Sequence, residues 1–282
     1  MLKQRIVTAL VLLALLLPAL FAIDPWPFRI LTLVLIIAAA WEWGRLNSVG
    51  AVQAWLGAGA CLIACAWAQY GGWVQSTLPQ LWLFAGAMWV LLGAWMVQRG
   101  VPGWALWPRA LRWWAGLFLL ALAWLALAQA HMRGVNFLLS VLVLVWAADV
   151  FAYFFGRKFG GRFFAVKLAP AISPGKSWEG VFGGMLGVLL VACAWVIFDQ
   201  ETGSRGLSFY SLLLAKGWWL MVPALFFMSA MSVVGDLVES LVKRSAGMKD
   251  SSGLLPGHGG VLDRIDALLP TLPLAMMLVA WI

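Results

Sequence analysis

Runs of apolar residues, each about as long as a bilayer is thick, follow one another along almost the whole chain. Nine such segments can be drawn, at approximately 6–23, 28–43, 52–70, 80–98, 112–130, 135–155, 180–198, 211–234 and 267–282. A helix needs roughly 20 predominantly apolar residues to cross the hydrocarbon core. The runs are continuously apolar, where an outer-membrane barrel would alternate apolar with polar. The pattern therefore predicts an all-α, polytopic helical membrane protein with about nine transmembrane helices. Pro interrupts several runs, notably the last, with Pro270 and Pro273. Such prolines are tolerated where neighbouring helices satisfy the freed carbonyls. Lys3 and Arg5 ahead of the first run also suit a secretory signal peptide. That run is long for one and no clear A-x-A site follows, so a retained first helix is expected.

Composition sharpens the class. Apolar residues make up 64% of the 282 and charged residues 11%, with 20 Trp. A soluble domain has about 45–50% and about 25% respectively. Disorder, collagen and a disulfide-rich secreted scaffold are excluded. The net charge of +8 would suggest nucleic acid in a soluble protein. In a membrane protein it is topological, because bases collect in cytoplasmic loops. With the N-terminus inside, alternation puts 15 of the 19 Lys and Arg on the inner face. Only Arg29, Arg133, Arg205 and Lys216 fall outside. The expected orientation is N-in/C-out in the cell inner (cytoplasmic) membrane, with cytoplasmic loops at 156–180 and 235–266. Cys61, Cys65 and Cys193 lie in apolar runs and read as buried thiols. No internal repeat is visible.

The acids divide the chain. Residues 1–134 hold only Asp24 and Glu42, and residues 135–282 hold the other nine. The first part reads as a transmembrane scaffold and the second as the catalytic region. Residues 235–266 carry five acids and four bases. A lipid-anchoring patch would be nearly all basic, whereas a mixed cluster suits divalent metal and phosphate together. Asp236, Glu239, Ser240 and Lys243 stand at i, i+3, i+4 and i+7, one face of a helix. The same spacing equally suits a Glu239–Lys243 ion pair. Asp236 sits at the membrane boundary, where a bare carboxylate is costly unless paired or metal-bound.

In Pro256-Gly257-His258-Gly259-Gly260, the glycines let backbone N–H groups approach an anion. A flexible turn is the alternative, but Lys249-Asp250 and Asp263-Arg264-x-Asp266 flank it with metal-type and phosphate-type groups. Asp149 lies within an apolar span, where an ionisable group reads as functional unless it pairs with Arg157 or Lys158. Ser173-Pro174-Gly175-Lys176-Ser177-Trp178-Glu179 opens the next span. Ser177 is a candidate N-cap, and Lys176 stands beside a helix start suited to phosphate. This Gly-Lys-Ser is no Walker A loop, because no Gly precedes Lys176 by five residues and no strand leads in.

Residues 240–266, from Ser240-x-Val242-Lys243-Arg244 through Lys249-Asp250-x-Ser252 to His258-Gly259-Gly260-Val261-x-Asp263-Arg264-Ile265-Asp266, closely resemble the signature of the phosphatidate cytidylyltransferase (CDP-diacylglycerol synthase) family. The Asp149 region and residues 173–180 resemble family segments less specifically. The resemblance implies transfer of a cytidylyl group from CTP to phosphatidate, releasing pyrophosphate and requiring Mg2+, with a second metal ion left open. Under it, Lys243, Arg244, Lys249, Asp250, His258 and Arg264 are the expected catalytic residues. His258 is read as a hydrogen bonder that positions rather than a proton-transfer group. Ser173, Lys176, Ser177, Ser240, Gly259 and Gly260 are expected at substrate phosphates. Asp236 and Asp263 are the first metal ligands expected, with Asp266, Asp149 and Asp250 in reserve. Expected partners are CTP, phosphatidate and the lipid bilayer; a homodimer is left open, and nucleic acid is not expected. A transporter would instead favour midplane charges and repeats. A CDP-alcohol phosphatidyltransferase would carry Asp-Gly-x2-Ala-Arg, which is absent.

Overall fold

The computed structural model describes residues 2–203 and 206–282. Arg205, counted above with the outer bases, lies outside the described residues. The long helices are α1 (Leu2–Phe21), α2 (Trp26–Leu46), α3 (Ala51–Tyr70), α4 (Pro79–Ala105), α5 (Arg109–Arg133), α6 (Val135–Phe159), α7 (Trp178–Thr202) and α9 (Trp218–Ser245). Between and after them come three short ones, α8 (Phe209–Ala215), α10 (Leu262–Ile265) and α11 (Leu268–Ala280). No strand occurs among the described residues. Isolated bridges Ala169–Ser173 and Leu255–Gly259 pin one turn in each of two loops. Eight helices are long and apolar enough to cross a membrane, so the protein is an all-α membrane protein.

Two segments differ from expectation, each for a local reason. The run at 211–234 is broken by Gly217, whose φ of 113° no helix accommodates. Helix α9 starts after it and continues to Ser245, about ten residues past the expected end. Leu237, Val238, Leu241 and Val242 stay buried there, and no breaker intervenes before Gly247 at φ 68°. The loop expected from 235 therefore begins at 246. The last run forms a helix of only 13 residues, about 20 Å at 1.5 Å per residue. Pro270 to Met276 are buried, and α11 packs against α4, α5 and α9.

Glycines bring α6 and α7 together. A Cβ on Gly184 would stand 2.8 Å from the Ala148 carbonyl oxygen, and one on Gly180 would stand 3.0 Å from that of Ala152. Small residues at such spacing let helix backbones approach closely in a membrane. That approach sets Asp149 on α6 beside the start of α7. Gly235 does the same for α9: a Cβ there would meet the Asp266 carbonyl oxygen at 2.5 Å. Asp236, one residue on, is thereby held near the α10–α11 junction. The start of α1 reaches this end too, with Thr8 Oγ1 donating to the Pro256 carbonyl at 2.9 Å.

Candidate functional site

A cleft of about 410 Å³ opens between the ends of α6, α7 and α9. Asp149, Tyr153, Arg157, Lys176, Ser177 and Asp236 are among the residues lining it. Ser177 is the N-cap of α7, its hydroxyl accepting from the Gly180 amide at 3.2 Å. Lys176 projects from the residue before that cap and pairs with Asp236 at 2.6 Å. Ser240 Oγ donates to the other Asp236 oxygen at 3.2 Å. Arg157 donates to the Tyr153 hydroxyl at 3.2 Å and makes no ion pair with Asp149 among the described residues. The loop leading to Lys176 is anchored at its far end by Glu179, which accepts from the amides of Phe163 at 3.0 Å and Phe164 at 3.1 Å. Arg244 Nε donates to the Ile172 carbonyl at 3.5 Å, tying α9 to the same loop.

The Gly-rich loop after α9 folds around two carboxylates. Asp263 accepts from Lys243 Nζ at 2.7 Å through Oδ1. Through Oδ2 it accepts from the Ser251 amide at 2.9 Å, the Ser251 hydroxyl at 2.9 Å and the Gly260 amide at 2.7 Å. Lys243 also pairs with Glu239 at 2.5 Å, so the i,i+4 pair forms and is shared with Asp263. The second carboxylate is Glu42 of α2, fully buried. It accepts from the hydroxyls of Ser251 and Ser252 and from the amides of Val261 and Leu262. Of the Pro256–Gly260 turn, the Gly260 amide donates to Asp263, and the next two amides, those of Val261 and Leu262, donate to Glu42. Gly259 takes φ 85°. Arg264 donates twice to the His258 carbonyl, at 3.0 and 2.6 Å. His258 Nδ1 is buried and has no hydrogen-bond partner among the described residues. Lys249 and Asp250 are exposed at the rim.

Electrostatics separate the loop acids. Burial pushes the Asp263 carboxyl up, but hydrogen bonds from Lys243 and the Gly260 and Ser251 amides help to outweigh it and hold the group at about 2. Asp266 moves the other way. Burial, then the Asp236 charge, push it up to about 7; the Ala267 amide and Lys176 oppose this, and Asp149 adds to it. Asp149, Asp236 and Asp266 therefore act on one another across the cleft end, with one ammonium among them. Among the described residues, no three His, Cys, Asp or Glu side chains converge closely enough to enclose a metal. Hard carboxylate oxygens around a cation still suit Mg2+, which uses one or two carboxylates and completes its shell with phosphates and water.

The sequence-derived residues thus fall into two adjoining groups. Asp149, Lys176, Ser177, Asp236 and Ser240 gather at the cleft, with Asp266 behind Asp236 and Ser173 in the preceding turn. Lys243, His258, Gly259, Gly260, Asp263 and Arg264 build the loop, and Arg244 bridges the two. Sequence reasoning missed Arg157 as a lining group and Glu42 as the loop's anchor. The one available signal for Glu42 was its isolation: an acid at the end of an apolar run in a half with only two acids.

Comparison with known proteins bears on this arrangement. A model described as "Cytidylyltransferase family" matches residues 3–282. The chain is similar to phosphatidate cytidylyltransferase of Pseudomonas aeruginosa, at 39% identity over 97% of this chain and 95% of the relative. It is similar to the protein of that name from Haemophilus influenzae, at 36% identity over 97% and 96%. One from Staphylococcus epidermidis is 38% identical over 53% of this chain and 51% of its own. Matched from end to end in this way, the chain belongs to the cytidylyltransferase family.

Proposed function

We propose that this protein transfers a cytidylyl group from CTP to phosphatidate, giving CDP-diacylglycerol and pyrophosphate, at the cytoplasmic face of the inner membrane. The observation that carries the reading is the meeting of Lys176, Arg157, Asp149 and Asp236 in one cleft at the end of membrane-type helices. A lipid phosphate and a nucleotide triphosphate bring several negative charges together, and the cations there answer that need. A phosphatidate oxygen attacks the α-phosphorus in line, and the bond to the β-phosphate breaks as pyrophosphate leaves. The attacking phosphate has a second pKa of about 6, so it is largely dianionic at neutral pH without a general base. That favours His258 as a hydrogen bonder.

Lys176 and Arg157, beside the start of α7, are assigned to phosphate oxygens, helped by the helix N-terminus. Exposed Lys249 and Arg244 are assigned to the rest of the triphosphate. Mg2+, when bound, supplies charge neutralisation for the phosphates. Asp236 and Asp149, backed by Asp266, are the residues suited to hold it. Asp263 was expected beside Asp236, but it is not among the residues lining the cleft and accepts two backbone amides besides Lys243 and Ser251, which favours an architectural role for it. The test uses purified protein, phosphatidate and CTP labelled at either the α or the γ position. The α label should enter the lipid phase and the γ label should leave as pyrophosphate. Lipid labelled from the γ position would mean phosphorylation and would overturn the reading.

A further inference from the structure

We propose that Glu42 is a positioning residue for the transfer reaction: its carboxylate is the internal anion on which the loop between α9 and α11 takes its reactive shape. The inference rests on the reading of that loop and the adjoining cleft as the transfer site. Glu42 is 0% exposed. Oε2 accepts from the Leu262 amide at 2.7 Å and the Ser251 hydroxyl at 3.2 Å, and Oε1 accepts from the Val261 amide at 3.0 Å and the Ser252 hydroxyl. Four donors fill a carboxylate's acceptor capacity. The contacts span 209 to 220 residues of sequence, so they fasten one half of the chain to the other.

The position of these bonds gives them a catalytic consequence. Val261 and Leu262 begin α10, which has no side-chain cap of its own. Their amides would otherwise be orphaned, and Glu42 satisfies both. Asp263 and Arg264 follow within two residues, so the Glu42 bonds set where they point. Ser251 extends the chain of contacts: its one hydroxyl proton lies between Glu42 and Asp263, and its amide donates to Asp263, which in turn holds Lys243. Gly260 fits only because it lacks a side chain: a Cβ would stand 2.5 Å from Glu42 Oε1 and 2.0 Å from Ser251 Oγ. Glu42 thus holds both ends of the turn between Ser252 and Val261, from which Asp263 and Arg264 follow beside the cleft.

Glu42→Gln, Glu42→Asp and Ser252→Ala separate the two roles in full-length purified protein. Gln keeps the size but replaces two acceptor sites with a donor; Asp keeps the charge. Loss of a partner that orients a site group typically costs about 10–100-fold, and that fall in kcat is expected for Glu42→Gln, with KM for CTP little changed. Glu42→Asp should recover part of the loss. Turnover is referred to folded protein, measured by monodispersity and thermal midpoint. A purely structural anchor would lower the folded yield and leave turnover per folded molecule at the wild-type value, which would overturn the proposal. Should Glu42→Gln not fold, Ser252→Ala decides, because it removes one donor and keeps the carboxylate. A fall of ~10-fold in kcat is expected there, the lower end of that range, and an unchanged kcat overturns the inference. Wild-type protein that transfers no label would overturn the transfer reading itself, and the inference with it.

Discussion

Gly260→Ala adds a single methyl group at the most crowded point of the loop. Its Cβ would lie 2.0 Å from Ser251 Oγ, 2.5 Å from Glu42 Oε1 and 2.8 Å from Glu42 Cδ. Neither neighbour is the loose end of a flexible chain. Ser251 Oγ is fixed between two carboxylates, and Glu42 is fixed by four donors. Relief therefore requires a backbone shift or ejection of the carboxylate. Overpacking a tight site costs about 1–3 kcal/mol, and each lost hydrogen bond to a charged group adds about 1.5–3 kcal/mol. The loop should lose about 3–6 kcal/mol of local stability on those figures. A displacement of ~1 Å can cost about 100-fold in rate, so transfer should fall by at least that factor. Gly253→Ala is the comparator: it is exposed, and its Cβ would meet nothing within 4 Å. It should stay within about 0.5 kcal/mol of wild type. Label transfer from CTP to lipid, with thermal midpoints alongside, measures both. Equal activity in the two variants would refute the account of how the loop is held.

Two further predictions concern charge and sidedness. Asp266 is raised to about 7 from 3.8, so its contribution to stability is present below the unfolded value and is lost as pH climbs through about 7. In EDTA the thermal midpoint should fall between about pH 4 and about pH 7, and stabilisation by added Mg2+ should grow over that interval. A Mg2+ increment that shrinks with pH would contradict this, and full activity in EDTA would remove the metal from the reaction. The loops at 160–177 and 246–261 must face one side, because two crossings, α7 and α9, separate them. Ala171→Cys and Leu254→Cys, both at exposed positions, in a background without the three native cysteines, should resist an impermeant thiol reagent in intact cells and react in inverted vesicles. Labelling of one alone from outside would place the two loops apart, and labelling of both would overturn the N-in orientation.

Much of this architecture was legible because membrane burial imposes a crude rule that one residue at a time can satisfy. Continuous apolar runs located the long helices, and Ser177 marked the start of α7 through a local cap. Helical spacing set Asp236, Glu239, Ser240 and Lys243 on one side of α9, where Ser240 bonds Asp236 and Lys243 pairs with Glu239, each four residues apart, and Lys243 reaches on to Asp263 in the loop. What stayed hidden is non-local. The Pro256–Gly260 turn reads as an anion cradle, and sequence spacing alone cannot say that Glu42, some 220 residues away, holds the two amides that follow it, those of Val261 and Leu262. Asp236 and Asp263 look alike as acids flanking basic residues. Only the fold distinguishes a carboxylate that lines the cleft from one enclosed by Lys243 and the Ser251 and Gly260 amides. The late end of α9 follows from packing: its last two turns are held by buried Leu237, Val238, Leu241 and Val242, which a hydropathy boundary drawn at the first charge overlooks.

Transfer of α-labelled CTP into lipid by Asp236→Asn, set beside Asp199→Asn, tests the central claim most directly. Asp199 is also buried and hydrogen-bonded, to Asn136, Ser208 and Ser211, but at the opposite end of α7 from the cleft. With saturating Mg2+, Asp236→Asn should lose at least about 100-fold in rate, about 2.7 kcal/mol of barrier. Asp199→Asn should lower the thermal midpoint and keep wild-type turnover per folded molecule. Near-normal transfer by Asp236→Asn would contradict the assignment of the reaction to the cleft between α6, α7 and α9.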